Sequence, residues 1–244
     1  MRQSDLALTV ESVPRVAFET FMQHFQWKQG QHLAMVGPTD SGKTTLALRL
    51  LPLQPYVTAF ATKPADDTMD LLAGTGYKIF KRWPQSWPWN SVKRYPRRII
   101  WPPINSMDKA TQDRQKERFT EAMGAIYGEG GWCLYLDELY TISEQLGMKS
   151  EVKFFLTQAR SLKISLAVGT QRPFWVPLEV YDQSQHLFFF RDNDERNLSR
   201  IGGISWRSAD LIRKIIANLD PHEFLYVYTP KGGLIRSQVG RNRT

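Results

Sequence analysis

The feature that most constrains this chain is the octapeptide at residues 37–44, which reads Gly-Pro-Thr-Asp-Ser-Gly-Lys-Thr. It matches the pattern GxxxxGK[ST], a glycine-rich loop whose backbone N–H groups surround phosphate oxygens. The apolar run 32–36 before it suits a buried strand, and the leucine-rich segment 45–51 after it suits a helix. A strand, a glycine loop and a helix N-terminus in this order direct several N–H donors at one place. The pattern therefore predicts that the chain binds a nucleoside triphosphate.

The residues of this loop have separate expected roles. Lys43 should neutralise oxygens of the β- and γ-phosphates, and the Thr44 hydroxyl should ligate Mg²⁺. Gly37 and Gly42 allow a backbone path that a Cβ would obstruct. ATP and Mg²⁺ are the expected ligands. The predicted contacts to the nucleotide are Gly37, Pro38, Thr39, Asp40, Ser41, Gly42, Lys43, Thr44 and Thr45.

The composition is that of an ordinary globular protein. Hydrophobic residues make up 42% of the 244 residues and charged residues 23%, which suits a buried core of substantial size. No apolar run approaches the ~20 residues of a membrane-spanning helix. Cys133 is the one cysteine, so a disulfide framework is excluded. We expect a cytoplasmic location without a membrane span.

The order of elements predicts an α/β fold. Continuous apolar strands alternate with helices, which is typical of a mostly parallel sheet covered on both faces, and the chain closes with an antiparallel hairpin. We expect one P-loop domain over 1–244, with a lead-in and helix at 1–30 and a basic aromatic excursion at 77–103. The predicted strands are 32–36, 56–61, 98–101, 132–136, 164–169, 186–191, 223–228 and 234–239, and the predicted helices are 15–25, 43–52, 66–72, 108–127, 149–162, 192–200 and 206–218.

The excursion at 77–103 has a distinct charge pattern. It holds no Asp or Glu, in a chain whose net charge is +8. Basic side chains with interleaved rings suit phosphates and bases of nucleic acid. Alternatively, the rings pack a proline-rich segment onto the core and the charges face water; both interpretations stay open. The residues concerned are Lys78, Lys81, Arg82, Lys93, Arg94, Arg97 and Arg98, with Trp83, Trp87, Trp89, Tyr95 and Trp101.

A second motif ends the apolar run 132–136 with Asp137 and Glu138. Because the carboxyl end of a strand borders the active-site crevice of an α/β sheet, we expect Asp137 to hold the Mg²⁺ shell. Glu138 is positioned to polarise the attacking water as a general base. The adjacent glutamate favours hydrolysis over phosphate transfer to a small acceptor. The alternative is a carboxylate pair that caps the following turn.

Gln171 also follows an apolar strand. A polar amide there is expected to sense the γ-phosphate and orient the nucleophilic water. A simple strand-terminal hydrogen bond is the alternative.

Three segments together resemble the FtsK/HerA superfamily of DNA-pumping ATPases. They are Asp137-Glu138 followed by a helix, Gln158-Ala-Arg-Ser-Leu-Lys-Ile-Ser165, and Gly169-Thr-Gln-Arg-Pro173. The resemblance covers roughly residues 31–230. It implies a RecA-like core, a homo-oligomeric ring that is most often a hexamer, and ATP sites at subunit boundaries. One departure is Ala61-Thr62-Lys63-Pro64, where many relatives have an acidic residue before the lysine.

The resemblance also implies roles and partners. Arg160 matches the arginine that completes a neighbour's site, and Arg172 is the second choice for this role. The short chain, without an anchor or an appended DNA-reading domain, is similar to viral genome-packaging ATPases. These act on double-stranded DNA without sequence preference and dock on a capsid or portal, in the host cytoplasm or on the virion. The alternative function is a P-loop assembly switch or loader that does not move DNA.

Overall fold

A computed structural model of the chain describes residues 12–84, 95–204 and 209–240. Its elements follow the predicted order, with a short strand at Lys78–Phe80 and a short helix at Glu179–Asp182 in addition. The strands are β1 His32–Val36, β2 Val57–Phe60, β3 Lys78–Phe80, β4 Arg97–Ile100, β5 Cys133–Leu136, β6 Ser165–Thr170, β7 Ser184–Phe190, β8 Glu223–Tyr228 and β9 Gly233–Gln238. The helices are α1 Phe18–His24, α2 Lys43–Leu50, α3 Asp67–Gly74, α4 Lys109–Glu129, α5 Lys149–Gln158, α6 Glu179–Asp182, α7 Glu195–Ile204 and α8 Ala209–Ala217.

Across the described residues these strands form one nine-stranded sheet in the order β3-β4-β2-β5-β6-β1-β7-β8-β9. Neighbours from β3 to β7 pair in parallel, whereas β8 and β9 are antiparallel additions. The predicted fold class, a mostly parallel sheet with a C-terminal hairpin, is confirmed. Strand β6 lies between β1 and β5, so the ends of these three strands adjoin at one edge of the sheet.

Both faces of the sheet are buried, because alternate side chains of each strand point to opposite sides. On β1, Leu33 and Met35 belong to one apolar cluster, which α1, α2 and α3 cover. Ala34 and Val36 belong to the other cluster, which α4, α5 and α8 cover. The strands therefore read as largely continuous apolar runs, although buried polar residues such as Thr58 in β2 and His186 in β7 also lie within them. No helix in the described ranges is long and apolar enough to cross a membrane.

The described part of the basic excursion divides into two groups. Arg98 is buried, and its guanidinium lies 4.3 Å and 4.4 Å from the ring centroids of Trp83 and Trp132. Arg97 donates to the carbonyl oxygens of Leu51 and Pro52. The rings pack onto the core as the second interpretation expected, but the charge of Arg98 is buried and does not face water, which excludes an open phosphate contact by this residue.

The basic side chains on and after the edge strand β3 are different. Lys78, Lys81 and Arg82 are exposed to solvent and remain available for a polyanion. The other predicted members of the excursion surface, Trp87, Trp89, Lys93 and Arg94, lie outside the described residues.

Candidate active site

The phosphate loop joins β1 to α2 as predicted. Its backbone takes positive φ angles of 57° at Asp40 and 109° at Gly42, and such an angle is uncommon for a residue other than glycine. Helix α2 begins at Lys43, with Gly42 as its N-cap and no side-chain cap. The N–H groups of the first turn are therefore free of a capping side chain, which is the arrangement that binds an anion.

The two loop glycines are required by close packing as well as by conformation. A Cβ on Gly37 would lie 2.6 Å from Cβ of Phe190, and a Cβ on Gly42 would lie 2.8 Å from Cγ2 of Val239. Phe190 ends β7 and Val239 follows β9. The C-terminal half of the sheet thus supports the phosphate loop directly.

Lys43 lies inside the loop that it is expected to serve. Its Nζ donates to the carbonyl oxygens of Gly37 at 2.7 Å and Pro38 at 2.6 Å, and the residue is 8% exposed. Burial lowers the pKa of this amine, and the negative charges of Asp137 and Glu138 act in the opposite direction. The Lys43 amine therefore lies close enough to both predicted carboxylates to interact with them electrostatically.

The two carboxylates at the end of β5 have different surroundings. Asp137 accepts a hydrogen bond from the buried Tyr135 hydroxyl at 2.5 Å. The Glu138 carboxylate accepts from the backbone N–H of Tyr140 at 3.3 Å. Burial is the main cause that raises the pKa of Glu138 above its ordinary value. A raised pKa makes this carboxylate a stronger proton acceptor, as a general base requires.

Gln171 connects the phosphate loop to the acidic strand end. Its Oε1 accepts from the Thr39 hydroxyl at 2.8 Å, and its backbone N–H stabilises the Glu138 carboxylate and so lowers that pKa. Gln171 therefore contacts both the phosphate loop and Glu138. This is the place that the sequence predicted for a residue that senses the γ-phosphate.

A cavity of about 460 Å³ contains most of the predicted site. Its wall includes the predicted residues Thr39, Asp40, Ser41, Gly42, Lys43, Thr44, Thr45, Asp137 and Gln171. Gly37 and Pro38 contribute through their bonds to Lys43. The wall also includes Lys63, Ala65, Asp66, Asp67, Thr68, Leu71 and His222.

Asp66 and Thr68 are site residues that the sequence analysis missed. Asp66 is 4% exposed and accepts from Met69 N–H as the N-cap of α3. Burial and the charge of Asp137 raise the pKa of Asp66, and the Thr68 hydroxyl lies 3.3 Å from that of Thr44. The polar run that follows β2 was a usable signal, but it is equally typical of an ordinary helix cap.

Gly169 was quoted only as part of a motif, yet it sets the spacing between β6 and the acidic strand end. A Cβ at this position would lie 2.3 Å from the backbone oxygen of Asp137. Any side chain there would displace Asp137 from the site. Sequence reasoning could not find this constraint, because it depends on how closely β6 approaches the end of β5 in the packed sheet.

The donor set fits Mg²⁺ bound together with phosphates. Mg²⁺ is commonly held by one or two carboxylates and by substrate oxygens, and it retains several waters. Thr44, Asp137 and Asp66 supply a hydroxyl and two carboxylates around the cavity. Within the described ranges there is no cluster of three or more His, Cys, Asp or Glu side chains able to hold a metal by themselves.

Arg160 lies away from this cavity, near the amino-terminal end of β6. It precedes β6, and a Cβ added at Gly30, before the start of β1, would lie 3.0 Å from the Arg160 carbonyl oxygen. The charge of Arg160 adds to burial in lowering the pKa of His32 to about 4. The strand β6 spans about 20 Å between this point and Gln171. The exposed Arg160 therefore does not complete the site of its own chain. Arg172 is nearer to the cavity, with its guanidinium 5.1 Å from the Tyr140 ring centroid.

Known proteins are similar to this chain in sequence and in fold. No protein-family profile matches the chain. DNA packaging ATPase P9 of Enterobacteria phage PRD1 is 24% identical over 176 residues, which are 71% of this chain and 69% of P9. The chain is a homologue of P9. The predicted resemblance to this class of ATPase is confirmed.

Solved structures agree on the fold. The DNA-packaging ATPase B204 from Sulfolobus Turreted Icosahedral Virus superposes with a TM-score of 0.62 at 15% identity, covering 86% of this chain and 98% of B204. B204 from Sulfolobus turreted icosahedral virus 2, solved with ATP-gammaS, superposes with a TM-score of 0.56 at 15% identity. The match covers 84% of this chain and 95% of that B204 chain. VirB4 of Thermoanaerobacter pseudethanolicus superposes with a TM-score of 0.63 at 10% identity, covering 87% of this chain and 90% of the VirB4 chain. The chain thus has the fold of a P-loop ATPase.

Proposed function

We propose that this protein is a genome-packaging ATPase that hydrolyses ATP to move double-stranded DNA. The observation that carries the proposal is the meeting of Lys43, Asp137 and Glu138 at one edge of the sheet, in a homologue of P9. The B204 complex with ATP-gammaS supports ATP as the nucleotide.

Hydrolysis follows from the geometry of these groups. Lys43 would exchange its bonds to the Gly37 and Pro38 carbonyls for bonds to phosphate oxygens. Glu138 would accept a proton from water as the water oxygen attacks the γ-phosphorus. The bond from that phosphorus to the β–γ bridging oxygen breaks, which leaves ADP and phosphate. When bound, Mg²⁺ supplies positive charge that offsets the charge on the phosphate oxygens.

The link to movement would begin at the hydrogen bond between Thr39 and Gln171. Loss of the γ-phosphate changes what the loop and the Gln171 amide contact, and β6 continues from Gln171 back to the segment that contains Arg160. In a homo-oligomeric ring, which we expect to be a hexamer, that arginine would stabilise the transition-state charge in the neighbour's site.

DNA would be held through its phosphates, without sequence preference. Lys78, Lys81 and Arg82 form an exposed basic group on and just after the outermost strand β3. They are our candidates for this contact. We also propose that the ring docks on a capsid or portal in the host cytoplasm.

The test is ATPase activity with and without duplex DNA, measured with the size of the particle in solution. A motor should hydrolyse ATP faster when DNA is present, and Glu138→Gln should abolish both rates. A rate that does not respond to DNA in a ring of stable size would instead favour the assembly switch.

A further inference from the structure

An aromatic cavity lies between α1 and the C-terminal hairpin. It measures about 660 Å³. Its wall includes Gln31, which precedes β1, and Tyr228, which ends β8. The phosphate loop follows the other end of β1, about 17 Å away along the strand. None of the roles assigned above uses this cavity, and a ligand bound in it would leave the nucleotide site open.

Aromatic rings form the floor of the cavity. The ring centroid of Tyr226 lies 5.2 Å from that of Phe21 and 5.6 Å from that of Phe25, and the half-buried Tyr228 belongs to the same wall. Gly233 lies on the hairpin side, where an added Cβ would meet no atom within 4 Å. The space over the rings is therefore open to an apolar side chain, the kind of group that anchors protein contacts.

A chain of hydrogen bonds holds this floor in place. The Tyr226 hydroxyl donates to Nδ1 of His186 at 2.8 Å, and Nε2 of His186 donates to Oε1 of Gln31 at 3.0 Å. The same Oε1 accepts from the backbone N–H of Lys28 at 2.9 Å. Burial lowers the pKa of His186 to about 4, so the neutral imidazole can accept at one nitrogen and donate at the other. The cavity is preorganised, which reduces the entropic cost of binding.

The rim of the cavity is positively charged. Lys28 and Lys231 line it and are exposed to solvent. Within residues 12–84, 95–204 and 209–240 neither amine has an ion pair or a hydrogen bond. No Asp or Glu belongs to the described part of the wall. Two cations beside an apolar floor are complementary to carboxylates that flank an apolar group.

A protein segment fits this combination better than nucleic acid does. The bases of duplex DNA are stacked inside the helix and are not available to enter a cavity, and its phosphates would make no use of the aromatic floor. A peptide can place an aromatic or aliphatic side chain on the rings and adjacent Asp or Glu side chains beside the two lysines. The occupant that the cavity favours is therefore an acidic peptide segment with an apolar anchor.

We propose that this cavity is the docking site for an acidic segment of the protein on which the ring docks. The apolar side chain of that segment rests on the aromatic floor, and its carboxylates pair with Lys28 and Lys231. The proposal rests on the proposed function, because it presumes a docked ring. It adds the place of docking, at the end of β1 opposite the phosphate loop, and the charge of the partner.

The experiment measures binding of an acetylated and amidated peptide, Glu-Asp-Trp-Asp-Glu, to the full chain by calorimetry. One analogue, Gln-Asn-Trp-Asn-Gln, lacks the carboxylates, and a second, Glu-Asp-Ala-Asp-Glu, lacks the ring. We expect the analogue without carboxylates to bind about three- to tenfold more weakly, as the loss of two exposed ion pairs predicts. The analogue without the ring should bind more weakly still, because it has no group to place on the floor.

Variants of the chain locate the binding. Lys28→Gln combined with Lys231→Gln should lower the affinity for the acidic peptide by the same factor of about three to ten and should leave the affinity for the uncharged analogue unchanged. Thr20→Trp and Gly233→Phe fill the cavity from α1 and from β9 and should abolish binding of all three peptides. Gln23→Trp, on the exposed surface of α1 outside the cavity, is the matched control and should bind like the wild type. DNA-stimulated ATPase activity should stay at the wild-type level in every variant.

Three results would overturn the docking site. They are no binding of the acidic peptide to the wild type, equal affinity for this peptide and the uncharged analogue, and undiminished binding in both cavity-filling variants. A smaller salt dependence of DNA binding in the double lysine variant would assign the rim to nucleic acid instead. A change of particle size in the cavity-filling variants would assign the cavity to a second copy of the chain. An ATPase rate that does not respond to DNA contradicts the proposed function without affecting peptide binding, so the two failures are distinguishable.

Discussion

At the scale of single residues, we expect Glu138, the proposed general base, to carry a cost in stability as well. We expect Glu138→Gln to keep ATP binding while turnover falls about 10²–10⁴-fold, because the amide cannot accept the proton. The same variant should unfold at a higher temperature near neutral pH. Single-turnover hydrolysis, calorimetric ATP binding and thermal unfolding measure the three effects, and unchanged turnover would remove Glu138 as the base.

The sign of the stability effect follows from the raised pKa of Glu138. Protonation is easier in the folded state, so the stabilisation is present below the unfolded pKa and is lost as the pH rises through the folded pKa. Glutamine carries no charge and resembles the protonated glutamate, so the variant keeps this stabilisation as the pH rises. The difference in melting temperature between the variant and the wild type should therefore grow as the pH rises above the ordinary pKa of a glutamate, about 4.3. A difference that stays constant as the pH rises would contradict the assignment.

Gly169 gives a second prediction at this scale. Gly169→Ala would force its Cβ against the Asp137 carbonyl oxygen, 2.3 Å away. We expect a loss of about 1–3 kcal/mol in the free energy of unfolding, together with reduced ATPase activity because Asp137 is displaced. Urea unfolding and steady-state hydrolysis test this.

Gly124→Ala is the matched control for that substitution. Gly124 lies within α4, and its added Cβ meets no atom within 4 Å. Alanine should stabilise the helix there by about 0.5–1 kcal/mol. If both variants behaved alike, the close approach of β6 to Asp137 would not be the cause.

At the scale of elements, the edge strand β3 and its inner neighbour β4 carry two kinds of basic residue. Replacement of Lys78, Lys81 and Arg82 by alanine should reduce the salt dependence of DNA binding by about one slope unit per lost phosphate contact. Arg98→Met should leave that slope unchanged and should lower the free energy of unfolding by about 1–2 kcal/mol, because Arg98 lies between two indole rings. Titrations at several salt concentrations and urea unfolding distinguish the groups. An altered slope in Arg98→Met with none in the triple variant would reverse the assignment.

The apolar strands and the long helices were predictable as elements, but short ones, among them β3, α6 and a π-helical turn, were not. Strand β3 has three residues, two of them exposed, and an edge strand carries a weak hydrophobic pattern. The π-helical turn Thr141–Gln145 was also missed. The backbone hydrogen bonds of this turn depend on how the segment after the acidic motif packs. The helix propensities of its residues do not predict them.

At the scale of the whole molecule, the position of Arg160 predicts that activity needs a neighbour. Arg160→Ala and Glu138→Gln should each be inactive alone, with a loss on the order of 10³-fold or more for the arginine. Mixed in equal amounts, they should recover about one quarter of the wild-type rate, since half of the sites keep Glu138 and half of their neighbours keep Arg160. The measurement is the ATPase rate against the mixing ratio.

The double variant Glu138→Gln, Arg160→Ala is the control for this mixture, because it supplies neither group. Its mixture with Arg160→Ala should stay inactive. Recovery in that control, or none in the first mixture, would assign Arg160 a structural role. The same experiment with Arg172→Ala decides between the two arginines.

The sequence by itself determined the phosphate loop, the order of strands and helices, and the acidic strand end. These depend on local patterns: glycines before a helix, apolar runs of strand length, and polar residues where a run stops. The meeting of Lys43, Asp137 and Gln171 was also predictable, because the carboxyl ends of parallel strands share one edge of a sheet.

The tertiary structure alone decided the neighbours from distant parts of the chain. Only the packed sheet brings Asp66 beside Asp137, places His222 against the phosphate loop, and buries Arg98 between two tryptophans while Lys78 stays exposed. A lysine or an arginine in the sequence can occupy a position in the core or a position on the surface. Which of the two it occupies depends on contacts between segments far apart in the chain, and no local pattern encodes those contacts.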